Sequence, residues 1–238
     1  MPIDLVTLNR EPTVRRISFV LVLAAVPIAA PLAQLDSVVE PASKRAFPVR
    51  ITVPGRDASH VLAGTGIRTK TFLKVQVYAY ALYVDSAGAR VTLAPWQGRT
   101  AEQLKDDPTL YDTLLRDNFG KSLRLHMTRD VGGDDMAEAF DDALEPRVDV
   151  AAEHGMEGGR DALATFRGYF DVEELTKESS LTFSWLPGGT LVSAVNGELR
   201  GEIQSPALCW ALFDVYLGPQ PIMKKGKETV VARLPEIL

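Results

Sequence analysis

The sequence predicts an α+β fold: an open antiparallel β-sheet with helices packed on one face. Two observations predict it. Segments with period-two alternation follow one another in runs joined by tight-turn residues, and segments with helical periodicity come in separate groups. That grouping favours an antiparallel sheet over a parallel one built from alternating strands and helices. The chain has 238 residues, 46% of them hydrophobic, which is enough for one sizeable core and demands no second domain.

The elements follow in order. Residues 1–33 form a basic start (Arg10, Arg15, Arg16), an apolar run from Ile17 and small residues near Ala33. This reads as a signal peptide or an N-terminal anchor, with Pro27 and Pro31 disfavouring a continuous spanning helix. Residues 34–48 read as a linker, and residues 49–238 as the folded domain. Val49 to Val53 alternate as a first strand, stopped by Pro54-Gly55. A long strand is expected from Thr71 to Val84. Its odd positions, from Leu73 to Tyr83, are nearly all apolar. Its even face runs from Lys74 and Gln76 to Tyr78 and Tyr80. Residues 100–119 suit a helix broken near Pro108. Leu123, Leu125 and Met127 alternate with Arg124, His126 and Thr128 as a strand with one wet face. Met136, Ala139, Phe140, Ala143 and Leu144 make one buried helical stripe, opened by Asp134-Asp135 and closed by Pro146. Leu163, Phe166 and Phe170 mark another helix. Leu181 to Ile203 reads as a meander with turns at Pro187-Gly188-Gly189 and Asn196-Gly197. A last helix begins at Ser205-Pro206, carries Leu208, Ala211, Leu212 and Val215 on its inner stripe, and ends at Gly218 as a C′ glycine.

Net charge is −5 without long blocks of one sign, which argues against a nucleic-acid partner. Cys209 is the only cysteine, so no intramolecular disulfide forms; it reads as a core residue. A disulfide-free exported domain fits a bacterial periplasm or another exported location. A membrane is expected to matter only through the N-terminal segment, if that segment is retained. His60, His126 and His154 are scattered, so no metal site and no cofactor are expected. The glycine-rich stretch from Gly155 to Arg160 lacks the ending of a phosphate loop and reads as a turn.

The sharpest signal is Gly64-Thr65-Gly66-Ile67-Arg68 followed by the long strand. Read as a turn, it delivers one arginine to the end of a face carrying Tyr78. A guanidinium in a partly dry cleft binds a carboxylate through two hydrogen bonds or stabilises a phenolate-like oxygen. Composition alone favours the plainer alternative, an arginine paired with a surface acid and tyrosines covering a helix.

The order of these residues resembles the chalcone-isomerase-like family. Gly64, Gly66, Ile67 and Arg68, then Tyr78, Ala81, Leu82 and Tyr83, carry the resemblance. Leu123 to Asp130 and the late Val215-Tyr216-Leu217-Gly218 support it, and the exported bacterial branch is the nearest in pattern. The resemblance implies the sheet-and-helix fold with a ligand cleft between the layers. It implies Arg68 at the position of the arginine that stabilises a phenolate in the plant enzymes, and Tyr78 at the position of their strand threonine. Their helix tyrosine and asparagine fall near Met136 and Ala143, which cannot make the same hydrogen bonds. The expected function is therefore binding of a small amphipathic anion, fatty-acid-like, by Arg68 and Tyr78. An intramolecular lyase, an isomerase with Arg68 and Tyr78 as its catalytic pair, is the second reading. A ligand-free interaction module is the third.

Overall fold

The computed structural model describes residues 36–70 and 75–238. The signal or anchor reading of residues 1–33, and the strand reading of residues 71–74, lie outside the described residues. Seven of the described strands form one antiparallel sheet with helices against one face, as the sequence predicts.

Two short strands, β1 (Ser37–Val39) and β2 (Ala46–Pro48), pair as a hairpin where the sequence suggested only a linker. Its Phe47 is buried against Ile51, Leu62, Ala79, Ala81 and Tyr83 on the sheet face away from the helices. β3 (Arg50–Thr52) pairs with β4 (Ser59–Lys70), which pairs along its length with β5 (Val75–Val84).

Gly64 and Gly66 lie inside β4, not in a turn. Their lack of side chains serves close approach instead. A Cβ on Gly64 would lie 2.4 Å from the Thr229 carbonyl oxygen, and one on Gly66 would lie 2.6 Å from the Tyr80 ring. The register between β4 and β5 slips beside Gly64, where Ala63 stands as an extra residue. The Ala63 carbonyl accepts from the Arg233 amide at 2.8 Å, so the bulge ties the C-terminal segment to the sheet.

Helices α1 (Ser86–Thr92), α2 (Ala101–Lys105) and α3 (Pro108–Leu114) follow, with the expected break before Pro108. β6 (Lys121–Met127) returns to the sheet beside β5. The excursion that follows leaves and re-enters at the same end of the sheet, where His126 and Ser180 are register partners of adjacent strands. It holds β7 (Val131–Gly132), α4 (Gly133–Glu153), α5 (Arg160–Arg167) and β8 (Glu174–Leu175). α4 does not stop at Pro146; it runs through the proline for 21 residues. A proline removes one backbone hydrogen bond. Here the buried stripe continues past it through Val148 and Ala151, and that packing carries the helix on. Phe140 of α4 and Phe166 of α5 meet Phe170 and Phe183 with ring centroids 5.0–5.7 Å apart, which locks the excursion onto the sheet.

β9 (Ser180–Leu186), β10 (Thr190–Val195) and β11 (Glu198–Gln204) complete the sheet in the order β11-β10-β9-β6-β5-β4-β3. Asn196 and Gly197 both have positive φ, as the expected two-residue hairpin turn requires.

α6 (Pro206–Leu217) is capped by Ser205, whose Oγ accepts from the Leu208 amide. It is buried on nearly every side, Cys209 included, because α4 lies across it; the single inner stripe read from sequence is too narrow. Gly218 ends α6 with extended backbone rather than a left-handed turn. Its missing Cβ matters because one would sit 2.0 Å from Asp214 Oδ1. α7 (Lys224–Thr229) and α8 (Leu234–Ile237) close the chain beside β4.

Candidate functional site

β4 and β5 bring Arg68 and Tyr78 together. The two are register partners across the antiparallel pair. Immediately beyond them the ladder slips: Thr69 pairs with Gln76, which leaves Val77 as an extra residue on β5. This bulge alters the face assignment made from strict alternation. Val77 lines the same cavity as Tyr78, whereas Gln76 donates to the Ala42 carbonyl in the turn between β1 and β2.

The cavity has a volume of about 640 Å³, within the usual range for small-molecule sites. Its sheet wall is Arg68, Val77 and Tyr78. Its helical walls are Met136, Phe140 and Ala143 of α4 and Val215 and Tyr216 of α6, with Ile222 from the loop after α6. Charged groups line it as well: Lys70 and Arg129 on one side, and Asp135, Glu138 and Asp142 along α4. Arg147 braces the helical walls. Its Nε donates to Asp214 Oδ2 at 2.9 Å, and its other nitrogens donate to the Ala143 and Gln220 carbonyls.

Arg68 is half-buried. Its Nη1 donates to the Thr69 carbonyl at 3.1 Å and more weakly to the Ile222 carbonyl at 3.4 Å. No carboxylate pairs with it among the described residues. Of the plainer alternative, the surface ion pair is therefore not seen among the described residues, while tyrosines covering a helix are: Tyr78 and Tyr80 both meet Tyr216 of α6. The Tyr78 hydroxyl meets the Tyr216 hydroxyl at 3.0 Å, and the Tyr216 ring lies against Tyr80 with centroids 4.8 Å apart. Burial raises all three phenols above the ordinary tyrosine range, so they stay protonated and can donate.

Met136 and Ala143 both line the cavity. Neither brings a group that hydrogen-bonds a ligand carbonyl or water strongly. Tyr216 is the site residue that sequence reasoning did not single out. It stood in view in Val215-Tyr216-Leu217-Gly218, but its pairing with Tyr78 joins residues 138 positions apart.

The histidines lie elsewhere. His60 is buried and bonds Ser122 Oγ at 2.7 Å. His126, read as lying on a wet face, is half-buried with its ring edge-on to Phe47. The stretch from Gly155 to Arg160 is the connection between α4 and α5, with positive φ at Gly155 and Gly158, as a turn requires.

Comparison with known proteins follows the same lines. The family described as chalcone isomerase-like matches residues 43–230. Fatty-acid-binding protein 1 of Arabidopsis thaliana is 25% identical over 199 residues, covering 81% of this chain and 68% of that protein. A chalcone–flavanone isomerase of Zea mays is 26% identical over 202 residues, covering 81% and 86%. Among solved structures, an Arabidopsis thaliana fatty-acid binding protein superposes with a TM-score of 0.70 at 24% identity, over 85% of this chain and 98% of that one.

Proposed function

Since this chain belongs to the chalcone isomerase-like family, we propose that it binds a small amphipathic anion, fatty-acid-like, without converting it. The carrying observation is a guanidinium free of carboxylate partners among the described residues, set beside a hydrogen-bonded phenol pair in a cavity of about 640 Å³ whose lining is part apolar and part charged. A carboxylate satisfies the donors, and a hydrocarbon chain covers Val77, Met136, Phe140, Val215 and Ile222. The fatty-acid-binding relatives support this reading. Titration with a fluorescent long-chain fatty acid should saturate at one ligand per chain, with dodecanoate competing. Failure to saturate would remove the proposal.

The isomerase relatives keep a second reading open, and the cavity argues against it. An enzyme that closes a ring on an enone needs donors at the developing charge, and losing one such donor typically costs about 3–4 kcal/mol of transition-state stabilisation. Met136 and Ala143 stand where the resemblance places those groups. Ring closure of a chalcone should therefore stay within about tenfold of its spontaneous rate, far below the usual enzymatic range. Rapid, stereoselective closure by the purified protein would make Arg68 catalytic and overturn the binding reading.

The basic and apolar run of residues 1–33 supports export, to a periplasm or beyond, and kinship with an exported bacterial branch. Intact-mass measurement of the exported protein should find it shorter by roughly 30–35 residues. A full-length soluble cytoplasmic product would count against export.

A further inference from the structure

Two hydroxyls in the cavity share a single hydrogen bond, and that leaves one hydroxyl hydrogen over. Tyr78 and Tyr216 bring one hydrogen each, and their 3.0 Å contact uses one of the two. Among the described residues neither oxygen has another hydrogen-bond partner. A buried donor left unmatched is costly, and both rings line the same cavity. Exposure tells the two apart. Tyr216 is 1% exposed and Tyr78 is 6% exposed, so Tyr216 is the inner ring. Either oxygen can donate at this distance; with Tyr216 donating, the free hydrogen falls on Tyr78, the more exposed ring of the two.

We infer that Tyr216 is a positioning residue of the ligand pocket: by donating to the Tyr78 oxygen it turns the Tyr78 hydroxyl hydrogen into the cavity, where Tyr78 and Arg68 bind the two oxygens of one carboxylate. The inference rests on the ligand-binding reading above. A hydroxyl that already accepts a hydrogen bond is polarised into a stronger donor. A carboxylate accepts only and brings two oxygens, one for each donor. An alcohol of the same chain length brings one oxygen and a hydrogen of its own, so it gains less from the arrangement. Part of the preference for acids over alcohols then runs through a residue that does not touch the acid.

The test is competition of dodecanoate and of 1-dodecanol against a fluorescent fatty acid, on the wild-type chain, Tyr78→Phe, Tyr216→Phe and the double variant. Tyr78→Phe should lower dodecanoate affinity about tenfold and Tyr216→Phe about three- to fivefold. The double variant should bind no more weakly than Tyr78→Phe alone, because Tyr216 acts only through Tyr78. In Tyr216→Phe the affinity for dodecanol should change less than about twofold. Losses that multiply in the double variant, or equal losses for acid and alcohol in Tyr216→Phe, would overturn the inference and leave Arg68-dependent binding intact. A wild-type chain that binds no dodecanoate would overturn both.

Discussion

Replacing Arg68 with alanine should weaken binding of a carboxylate ligand about ten- to a hundredfold and leave the fold standing. The guanidinium supplies a charge-assisted hydrogen bond worth on the order of 1.5–3 kcal/mol, and each 1.4 kcal/mol is about tenfold in affinity. Its contacts within the protein are modest, two carbonyls and the Met223 sulfur at 3.9 Å. It is half-buried, on a strand that β5 pairs from Val61 to Lys70, so the sheet does not depend on its side chain. Arg68→Lys should recover only part of the affinity, because an ammonium lacks the planar fork that meets two oxygens at once. Titration with a fluorescent fatty acid beside thermal melts measures both effects. Unchanged affinity in Arg68→Ala, or loss of the fold, would make the arginine structural.

Acidification from pH 6.5 to pH 4 should cost the domain about 3 kcal/mol of stability at a single residue, His60. Its imidazole is pulled down to about 4, chiefly by burial, with Lys121 adding to the effect and Asp85 opposing it. The direction follows from proton binding. Between pH 6.5 and 4 the unfolded chain holds a proton on this ring and the folded chain does not. Stability is therefore complete above pH 6.5 and drains away as pH falls toward 4. The folded ring cannot take the proton cheaply, because it is 2% exposed and the charged form would lose its water. Burial likewise pulls the Lys121 amine down to about 7. It gains charge as pH falls below that point and holds His60 down further. Urea unfolding at several pH values between 7 and 4, on the wild-type chain and His60→Gln, isolates the contribution. The two acid limbs should differ by what His60 contributes; parallel limbs would refute it.

Much of this fold was legible because its strongest signals are local. Asn196-Gly197 fixes a hairpin through positive φ, and Ser205-Pro206 opens a helix through a side-chain cap. The features that escaped depend on contacts distant in sequence. Gly64 and Gly66 look like a turn until the Thr229 carbonyl and the Tyr80 ring are seen pressing on them. Pro146 looks like a stop until the packing of Val148 and Ala151 is seen to continue the helix. The hairpin at residues 37–48 is too short to show a period, and it holds through Phe47 on a sheet formed later in the chain. Arg68 and Tyr78 were both legible as a pair. Tyr216 was not, because no spacing rule links a strand tyrosine to a helix tyrosine 138 residues on.

The extra residue at Val77 also governs where β5 can change length. Each side chain of a strand alternates with the next, so losing one residue within a regular stretch turns everything on one side of the gap to the wrong face. Val77 has no partner of its own on β4. Its removal would let Gln76 and Tyr78 become direct neighbours and keep the faces they have now. The cavity would lose one valine from its wall, while Tyr78, Tyr80, Leu82 and Val84 would stay in phase. Between residues 75 and 84, this is the one place where deleting a single residue reshapes the pocket without turning the rest of the strand over.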